Sequence, residues 1–282
     1  MAKQAIQAVG IYDSGVGGLT VCRALRQRFP QLPIVYLGDS ARAPFGERSL
    51  DELRQINFEI LHFLNRFPLQ LILSGCNTSS AMVLEDAQVF SKIPLLGLIE
   101  PTAQYVASLG LKKIAVIATR GTVKMQAYGK QLRRFATAQL EVQELACAEF
   151  VPLIENPQTT SGQLQAAVAR VAPQLVGIDA LIFGCTHFPY LENYFRQALG
   201  AHVRYIDPAK ILVEAAAAQL QIPSAAECDE PEHTFFTTGD PDQFAWLSQQ
   251  LVPGLLSQVK RTRLTTIELF GLPPRAHLLP SV

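Results

Sequence analysis

The 282-residue sequence lacks an excess of either charge, a paired set of cysteines and any long apolar run. Its 24 Lys and Arg residues balance its 24 Asp and Glu residues, so it offers no basic field of the kind that attracts nucleic acid. The five cysteines are odd in number, scattered and without CxxC spacing, which argues against a disulfide framework and favours a reducing compartment. The N-terminal apolar run is shorter than a signal-peptide core, and no later run could span a bilayer. We expect a cytoplasmic protein without nucleic-acid or membrane partners.

What the sequence does contain is an alternation of short apolar runs with helical patterns. Runs such as "AVGIY", "PIVYLG" and "LQLILSG" are separated by amphipathic segments, which is typical of β-α-β units around a parallel sheet. Ser49 and Glu52 predict a capping box at the start of a long helix. Because ligands bind outside the carboxyl ends of parallel strands, we expect the loops after Tyr12, Leu37 and Leu73 to line one crevice.

The second half of the chain repeats the pattern of the first. The stretch "LILSGCNT" aligns with "ALIFGCTH", which places Cys76 over Cys185. We infer a weak internal duplication, and therefore an α/β fold of two doubly wound parallel-sheet lobes related by a pseudo-twofold axis, with the active site in the cleft between them. The C-terminal part has no counterpart in the second half, so the predicted lobes are residues 1–98 plus 208–282 and residues 99–207.

The loop "DSGVGG" is similar to a phosphate-binding glycine turn, but the pattern fails in detail. A dinucleotide fingerprint requires Gly or Ala where Thr20 stands, and the carboxylate of Asp13 would repel a pyrophosphate. Asp39 is the one feature that favours a ribose contact. A nucleotide-binding oxidoreductase is therefore an alternative class, while the glycines are expected to form a tight turn that can offer N–H groups to a carboxylate.

Cys76 and Cys185 share one setting. Each follows a glycine at the predicted carboxyl end of a strand and precedes small polar residues. Two such cysteines at helix N-termini would both be shifted toward the thiolate by the helix dipole, and Asp13 and His187 could each accept the proton of one thiol. A pair of opposed thiols suits a reaction that removes a proton from one face of a carbon and delivers another to the opposite face.

The same cysteines allow other interpretations. A thiol at a strand end is often an inert, well-packed residue. Zinc could be held by Cys76, Cys185 and His187, although the spacing is unlike any closed zinc site. A thiol acyl-transfer enzyme, with one cysteine activated by His187, would leave the second cysteine unexplained. The remaining cysteines lack this setting and are predicted to be structural: Cys22, Cys147 and Cys228.

Over nearly its whole length the sequence resembles glutamate racemases, through "IYDSGVGGLTV", "YLGDSARAPFG", "SGCNTSSAM", "GLIEPT", "GCTHFPYL" and "FFTTGDPDQF" in that order. The resemblance implies an isomerase that interconverts L- and D-glutamate by proton transfer between two cysteines and supplies D-glutamate for peptidoglycan. It also implies a homodimer. No lysine lies in a glycine context that would indicate pyridoxal phosphate, so we expect no cofactor and no metal.

The resemblance also assigns roles to individual residues. Cys76 and Cys185 match the two proton-transferring cysteines, while Asp13, His187 and Glu155 match groups that assist them. Phe45 departs from the family pattern, in which Tyr precedes the glycine; a backbone contact there would tolerate Phe, whereas a contact through a phenol would be lost. The positions that match substrate contacts are Asp13, Ser14, Phe45, Gly46, Asn77, Thr78, Thr186 and His187.

Several of these residues also have an ordinary structural interpretation. Ser14, Thr78 and Thr186 could cap helices, and Asp39 could form a structural ion pair with Arg42. His187 could hold its loop together instead of moving a proton. Two further functions stay open: an aspartate racemase or maleate isomerase of the same superfamily, since pocket shape sets the substrate length, and a non-catalytic amino-acid-binding protein.

Overall fold

The structure is a computed structural model that describes residues 7–222, 231–256 and 258–267. Its described residues form ten strands arranged as two parallel sheets. The strands are β1 (Ala8–Asp13), β2 (Ile34–Gly38), β3 (Leu69–Ser74), β4 (Leu95–Gly97), β5 (Lys113–Ala118), β6 (Glu141–Ala146), β7 (Ala180–Gly184), β8 (Arg204–Ile206), β9 (Thr234–Thr237) and β10 (Val259–Arg261).

Helices cover both faces of each sheet. They are α1 (Leu19–Arg28), α2 (Leu50–Leu64), α3 (Asn77–Met82), α4 (Leu84–Phe90), α5 (Ile99–Ser108), α6 (Arg120–Lys124), α7 (Ala127–Phe135), α8 (Phe150–Glu155), α9 (Ser161–Val171), α10 (Glu192–Leu199), α11 (Pro208–Ala216) and α12 (Pro241–Leu251). Short 3₁₀ helices span Ser40–Arg42, Phe45–Glu47, Ala172–Leu175 and Phe188–Leu191. Within the described ranges, no helix is long and apolar enough to cross a membrane.

The order of the strands confirms the α/β fold with two doubly wound parallel sheets. The first sheet has the order β10-β9-β2-β1-β3-β4, and the second has the order β6-β5-β7-β8. Strands β1 to β4 and strands β5 to β8 therefore follow the same sequence of neighbours, as an internal duplication requires. All paired strands run parallel, so their carboxyl ends lie at one edge of each sheet.

The strands are buried because they pack apolar residues against helices on both faces. In β1, Val9 and Ile11 contribute to the apolar cluster beneath α1 and α11, whereas Tyr12 belongs to the cluster beneath α2 on the other face. The period of two places alternate residues on opposite faces of the sheet. This two-sided burial explains why the strands read as continuous apolar runs rather than as alternating ones.

Helix α2 begins where the sequence predicts it. The Ser49 side chain accepts a hydrogen bond from the backbone of Glu52, and the Glu52 carboxylate accepts one from the backbone of Ser49, which completes the capping box. The arrangement satisfies two of the N–H groups that a helix start leaves free.

One prediction of local structure was wrong, and one proline lies inside a helix. Helix α5 begins at Ile99 within the stretch "GLIEPT" and holds Pro101 in its first turn, where a missing N–H removes no helical hydrogen bond. Cys185 was expected at a helix N-terminus, yet it opens a turn that leads into the short 3₁₀ helix, and α10 begins only at Glu192. The helix-dipole argument therefore has no helix to act on at Cys185. At Cys76, burial and the charge of Asp13 outweigh the dipole and raise the pKa of the thiol to about 12, so the expected shift toward the thiolate was wrong.

The C-terminal part of the chain returns to the first sheet. Strand β9 pairs with β2, and β10 pairs with β9. Helix α11 packs against α1, whereas α5 contributes apolar residues to the cluster on the second sheet. We use "first lobe" for the part of the chain around the first sheet and "second lobe" for the part around the second. The lobe boundaries at residues 98/99 and 207/208 stay a prediction.

Candidate active site

The two lobes meet through the loops that follow their strands. A Thr78 hydroxyl from the first lobe lies 2.9 Å from the Thr119 hydroxyl of the second, and Tyr128 of α7 reaches Asn77 of α3. These contacts, together with the electrostatic contact between Asp13 and His187, bring the carboxyl ends of both sheets to one cleft. The cleft is the candidate active site.

Cys76 lies on the first-lobe wall of the cleft. It is the N-cap residue of α3, and its sulfur accepts a hydrogen bond from the Ser79 N–H at 3.5 Å. Burial, and then the negative charge of Asp13, raise the pKa of this thiol to about 12, with a smaller contribution from Cys185. At neutral pH Cys76 is therefore a thiol, ready to give up a proton rather than to take one.

Asp13 is the proton partner on this wall. The carboxyl group is buried, and it accepts hydrogen bonds from the Gly18 N–H at 2.5 Å and from the Cys76 thiol. Burial raises its pKa, and the positive charge of His187 and these hydrogen bonds only partly offset the rise. Ser14 adds a longer contact of 3.4 Å to the same carboxylate. The tight glycine turn thus presents N–H groups to a carboxylate, as the sequence predicted.

Cys185 lies on the second-lobe wall with two groups behind it. Its sulfur is 3.8 Å from Nδ1 of His187, and Nε2 of the same ring is 2.8 Å from Oε1 of Glu155. Burial by itself lowers the pKa of His187, but the hydrogen bonds and negative charges of Cys185 and Glu155 raise it to about 10. The ring is therefore a cation at neutral pH, and its positive charge lies beside the Cys185 sulfur.

The two walls thus differ in the group that lies beside each sulfur. On the first wall, the neutral thiol of Cys76 is paired with a buried carboxyl group. On the second wall, the sulfur of Cys185 is paired with an imidazolium that a carboxylate stabilises. Such an arrangement can take a proton on one side of the cleft and give one on the other without any further group.

The floor of the cleft is polar. Asn77 is buried; its Oδ1 accepts a hydrogen bond of 2.6 Å from Tyr128, and its Nδ2 has no partner among the described residues. Thr78 and Thr186 are also buried. Buried donors that lack a partner are costly unless a ligand or a water binds them, so the amide of Asn77 is a candidate contact for a bound carboxylate.

Gly17 brings the walls close together. A Cβ atom placed on it would lie 2.5 Å from Oγ1 of Thr186 and 2.6 Å from the ring of His187, both in the opposite lobe. Only a glycine permits this approach between the loop after β1 and the loop after β7.

The Gly17→Ala variant is expected to lower kcat/KM about tenfold to a hundredfold, because the added methyl group displaces His187 and holds the lobes apart. Steady-state kinetics would measure the effect. Gly162→Ala is the matched control, since Gly162 lies exposed at the start of α9 and no atom lies closer than 3.9 Å to the added group. Equal kinetics for Gly17→Ala and the native protein would contradict the close approach.

The remaining predicted residues are also located. The ring of Phe45 is buried in the apolar cluster of the first lobe, and a Cβ on Gly46 would lie 2.9 Å from Cβ of Thr119 across the cleft. Ser14, Thr78 and Thr186 cap none of the described helices; the N-cap of α3 is Cys76, and that of α1 is Gly18. Their hydroxyl groups therefore do not serve as N-cap acceptors for these helices.

Asp39 forms the structural ion pair that was one of its two interpretations. Its carboxylate accepts hydrogen bonds from Nε of Arg42 at 2.8 Å and from the Thr238 hydroxyl at 2.7 Å, and Arg42 also pairs with Glu59. Since the carboxylate is fully buried and engaged on both oxygens, it cannot contact a ribose. The alternative of a nucleotide site loses the one residue that favoured it.

Three residues near the cleft were missed. Thr119, at the N-cap of α6, occupies in the second half the place that Asp13 and Ser14 occupy in the first, so the internal duplication was the signal for it. Gly17 and Tyr128 have no such signal, because their contacts arise only when the lobes pack.

In the part of the chain that the structure describes, no group of three or more His, Cys, Asp or Glu side chains could hold a metal ion. Cys228 lies outside the described residues.

Known proteins are similar to this chain over most of its length. Residues 19–216 match the family model for Asp/Glu/Hydantoin racemase. A glutamate racemase of Microcystis aeruginosa is 40% identical over 259 residues, which is 89% of each chain. A glutamate racemase isoform from Bacillus anthracis has a TM-score of 0.80 at 34% identity, covering 93% of this chain and 98% of that one. A Francisella tularensis glutamate racemase in complex with D-glutamate has a TM-score of 0.83 at 26% identity, covering 93% and 99%.

The family match covers well over half of the sequence, and the curated relative is similar over nearly all of it. The chain therefore belongs to the Asp/Glu/hydantoin racemase family, and it is an amino-acid racemase.

Proposed function

We propose that the protein is a cofactor-independent glutamate racemase that works with two cysteines. One observation carries the proposal: Cys76 and Cys185 lie on facing walls of one cleft, each with its own proton partner. Racemisation requires removal of the α-proton from one face of the carbon and delivery of a proton to the other. Two opposed thiols meet this requirement.

The groups beside the two sulfurs suggest how one direction of the reaction runs. In this direction Cys185 reacts as the thiolate and takes the α-proton, while the imidazolium of His187 stays charged beside it. The Cys76 thiol gives its proton to the opposite face of the carbanion and becomes a thiolate, next to the Asp13 carboxyl group that can share a proton with it. The reverse reaction exchanges the two roles, and proton exchange with solvent restores the resting state.

The carbanion needs stabilisation because an amino-acid α-proton is only weakly acidic. The cleft offers buried hydroxyl groups from Thr78 and Thr186 for this purpose. Donors that are already oriented in a site with little water stabilise a developing charge more than water does. The site therefore has groups of its own for the task that a cofactor performs in other enzymes.

Glutamate is the proposed substrate because the similar proteins are glutamate racemases and one of them is described with D-glutamate bound. D-Glutamate supplied by this reaction would serve peptidoglycan synthesis in the cytoplasm. We also propose a homodimer, on the family resemblance alone. Aspartate is the rival substrate, since one methylene group separates the two amino acids.

The test is a circular-dichroism assay of the purified protein with L- and D-glutamate and with both enantiomers of aspartate, without added cofactor. We expect glutamate to racemise in both directions, deuterium from the solvent to enter the α-carbon, and aspartate to react much more slowly. If aspartate were racemised faster than glutamate, aspartate would be the substrate instead of glutamate. Glutamate binding without α-deuterium exchange would instead favour a non-catalytic binding protein.

The Glu155→Gln variant is expected to move the alkaline limb of the pH profile of kcat/KM to lower pH. The carboxylate helps to raise the pKa of His187 to about 10, so its loss lets the imidazolium give up its proton at lower pH. The shift would be measured from kcat/KM at a series of pH values between about 6 and about 10, the range over which an imidazole with a raised pKa gives up its proton.

Glu149→Gln is the matched control for this variant. Glu149 precedes the same short helix, but it pairs with Arg170 at an exposed place. An unchanged alkaline limb in Glu155→Gln, or an equal shift in both variants, would contradict the role of Glu155.

A further inference from the structure

The buried amide of Asn77 is fixed in one orientation. Its Oδ1 accepts the hydrogen bond of 2.6 Å from the Tyr128 hydroxyl, so its Nδ2 must point elsewhere, and no atom in the described part of the chain accepts a hydrogen bond from it. An amide side chain can turn by 180° and exchange its donor for its acceptor unless a neighbour prevents it. The neighbour that prevents it here is Tyr128.

Tyr128 is well placed to hold the amide. Its ring is fully buried in the apolar cluster of the second lobe, together with Ile114 and Val116. Burial raises the pKa of its hydroxyl group, so the group keeps its proton and remains a donor. Thr102 also borders the hydroxyl, but Thr102 donates its own proton to the Leu98 carbonyl at 2.6 Å. The proton in the short contact with Asn77 therefore comes from Tyr128.

The backbone before Tyr128 is strained in a way that serves this contact. Gln126, which precedes α7, has φ 49° and ψ 38°, the left-handed conformation that residues other than glycine seldom adopt. This residue turns the chain from α6 into α7 and sets Tyr128 in the first turn of the second helix. Strained residues of this kind concentrate at functional sites.

We propose that Tyr128 is a positioning residue for substrate binding: its hydroxyl, offered by the second lobe, fixes the amide of Asn77 in the first lobe so that Nδ2 donates to a carboxylate of the bound amino acid. The donor is then complete only while the lobes are together. The inference rests on the proposed racemase function, and it adds a residue that makes no contact with the substrate itself.

The Tyr128→Phe variant keeps the ring and removes only the hydroxyl. We expect KM and the Kd for D-glutamate to rise about tenfold, because a hydrogen bond to a charged group is lost or misdirected. We expect kcat to change much less, since the interaction exists in both the bound state and the transition state. Kd is measured by isothermal titration calorimetry, which does not depend on turnover.

A double-mutant cycle with Asn77→Ala separates this role from a purely structural one. If Tyr128 acts through Asn77, then Tyr128→Phe has no further effect on Kd once the amide is gone. Tyr205→Phe is the matched control: its hydroxyl donates to backbone carbonyls of Phe195 and Gly200 in the same lobe, away from the cleft. That variant should lose some thermal stability and keep its Kd.

The outcomes are distinct. An unchanged Kd in Tyr128→Phe, or the same rise in the Asn77→Ala background, overturns the inference. Absence of glutamate turnover in the native protein, with a raised Kd in Tyr128→Phe, overturns the proposed function and leaves the positioning role standing. Should Tyr128→Phe fail to fold, Asn77→Asp gives the same test, because it keeps the acceptor for Tyr128 and removes the donor; an unchanged Kd would then contradict the inference.

Discussion

Replacement of either Cys76 or Cys185 by Ala is expected to lower kcat/KM by about a thousandfold or more, since proton transfer by a positioned group contributes factors of this order. Each sulfur is the proton-transferring group on its own wall of the cleft. Asp13 contacts the Cys76 sulfur and His187 contacts the Cys185 sulfur, so we expect each to act through the sulfur beside it. Circular dichroism with each enantiomer measures the loss.

A variant that lacks one thiol should still have the other thiol as a base. This remaining base allows each cysteine to be tested separately. With one enantiomer, the remaining thiol can exchange the α-proton for solvent deuterium and return it to the same face, so exchange occurs without inversion. Proton NMR in deuterium oxide would detect it. The enantiomer that exchanges in Cys76→Ala should be the opposite of the one that exchanges in Cys185→Ala, which would assign each thiol to its face.

Cys22→Ala is the control for both variants. Cys22 is also buried and free, and it packs in the apolar cluster of the first lobe. Its removal should cost about 1 kcal/mol of stability through a small cavity and leave the kinetics unchanged. If Cys76→Ala or Cys185→Ala kept about a tenth or more of the native kcat/KM, the two-thiol mechanism would be contradicted, because the rate would have fallen by no more than a factor of about ten.

The His187→Asn variant is expected to lower kcat/KM by about a hundredfold to a thousandfold, the range expected when a group that promotes proton transfer is removed. The loss must be equal with L- and D-glutamate, because the two enantiomers have equal free energies in solution and the ratio of the two kcat/KM values is fixed by that equilibrium. Activity within a factor of about three of native would contradict the role, since it corresponds to less than one decade in rate. His62→Asn, at an exposed position of α2, is the control.

The same variant should change how stability depends on pH. The pKa of His187 rises from 6.5 to about 10 in the folded protein, so its contacts with Cys185 and Glu155 stabilise the fold fully below pH 6.5, and this contribution is lost as the pH rises through about 10. The difference in Tm between the native protein and His187→Asn should therefore be largest at acidic to neutral pH and vanish at strongly alkaline pH. A difference that grows with pH would be the wrong sign.

Much of the scaffold follows from local sequence. The buried strands β1, β2 and β3 and the capping box at Ser49 were predictable, because each depends on a short apolar run or on a cap whose parts lie within a few residues. The edge strand β6, "EVQELA", was missed. It is only partly buried and carries two glutamates, so neither a continuous apolar run nor a clean alternation identifies it.

The sequence by itself determined the two cysteine contexts, the duplication that relates them and the class of residue that follows each one, since these are properties of neighbouring residues. Only the tertiary structure decided which groups share a proton. Cys76 meets Asp13 of another strand, His187 meets Glu155 of α8, and Tyr128 meets Asn77 across the lobes. Hydrogen bonds and charges act between atoms that are a few ångströms apart in space. The separation of these partners along the sequence does not indicate how close they lie in the folded protein.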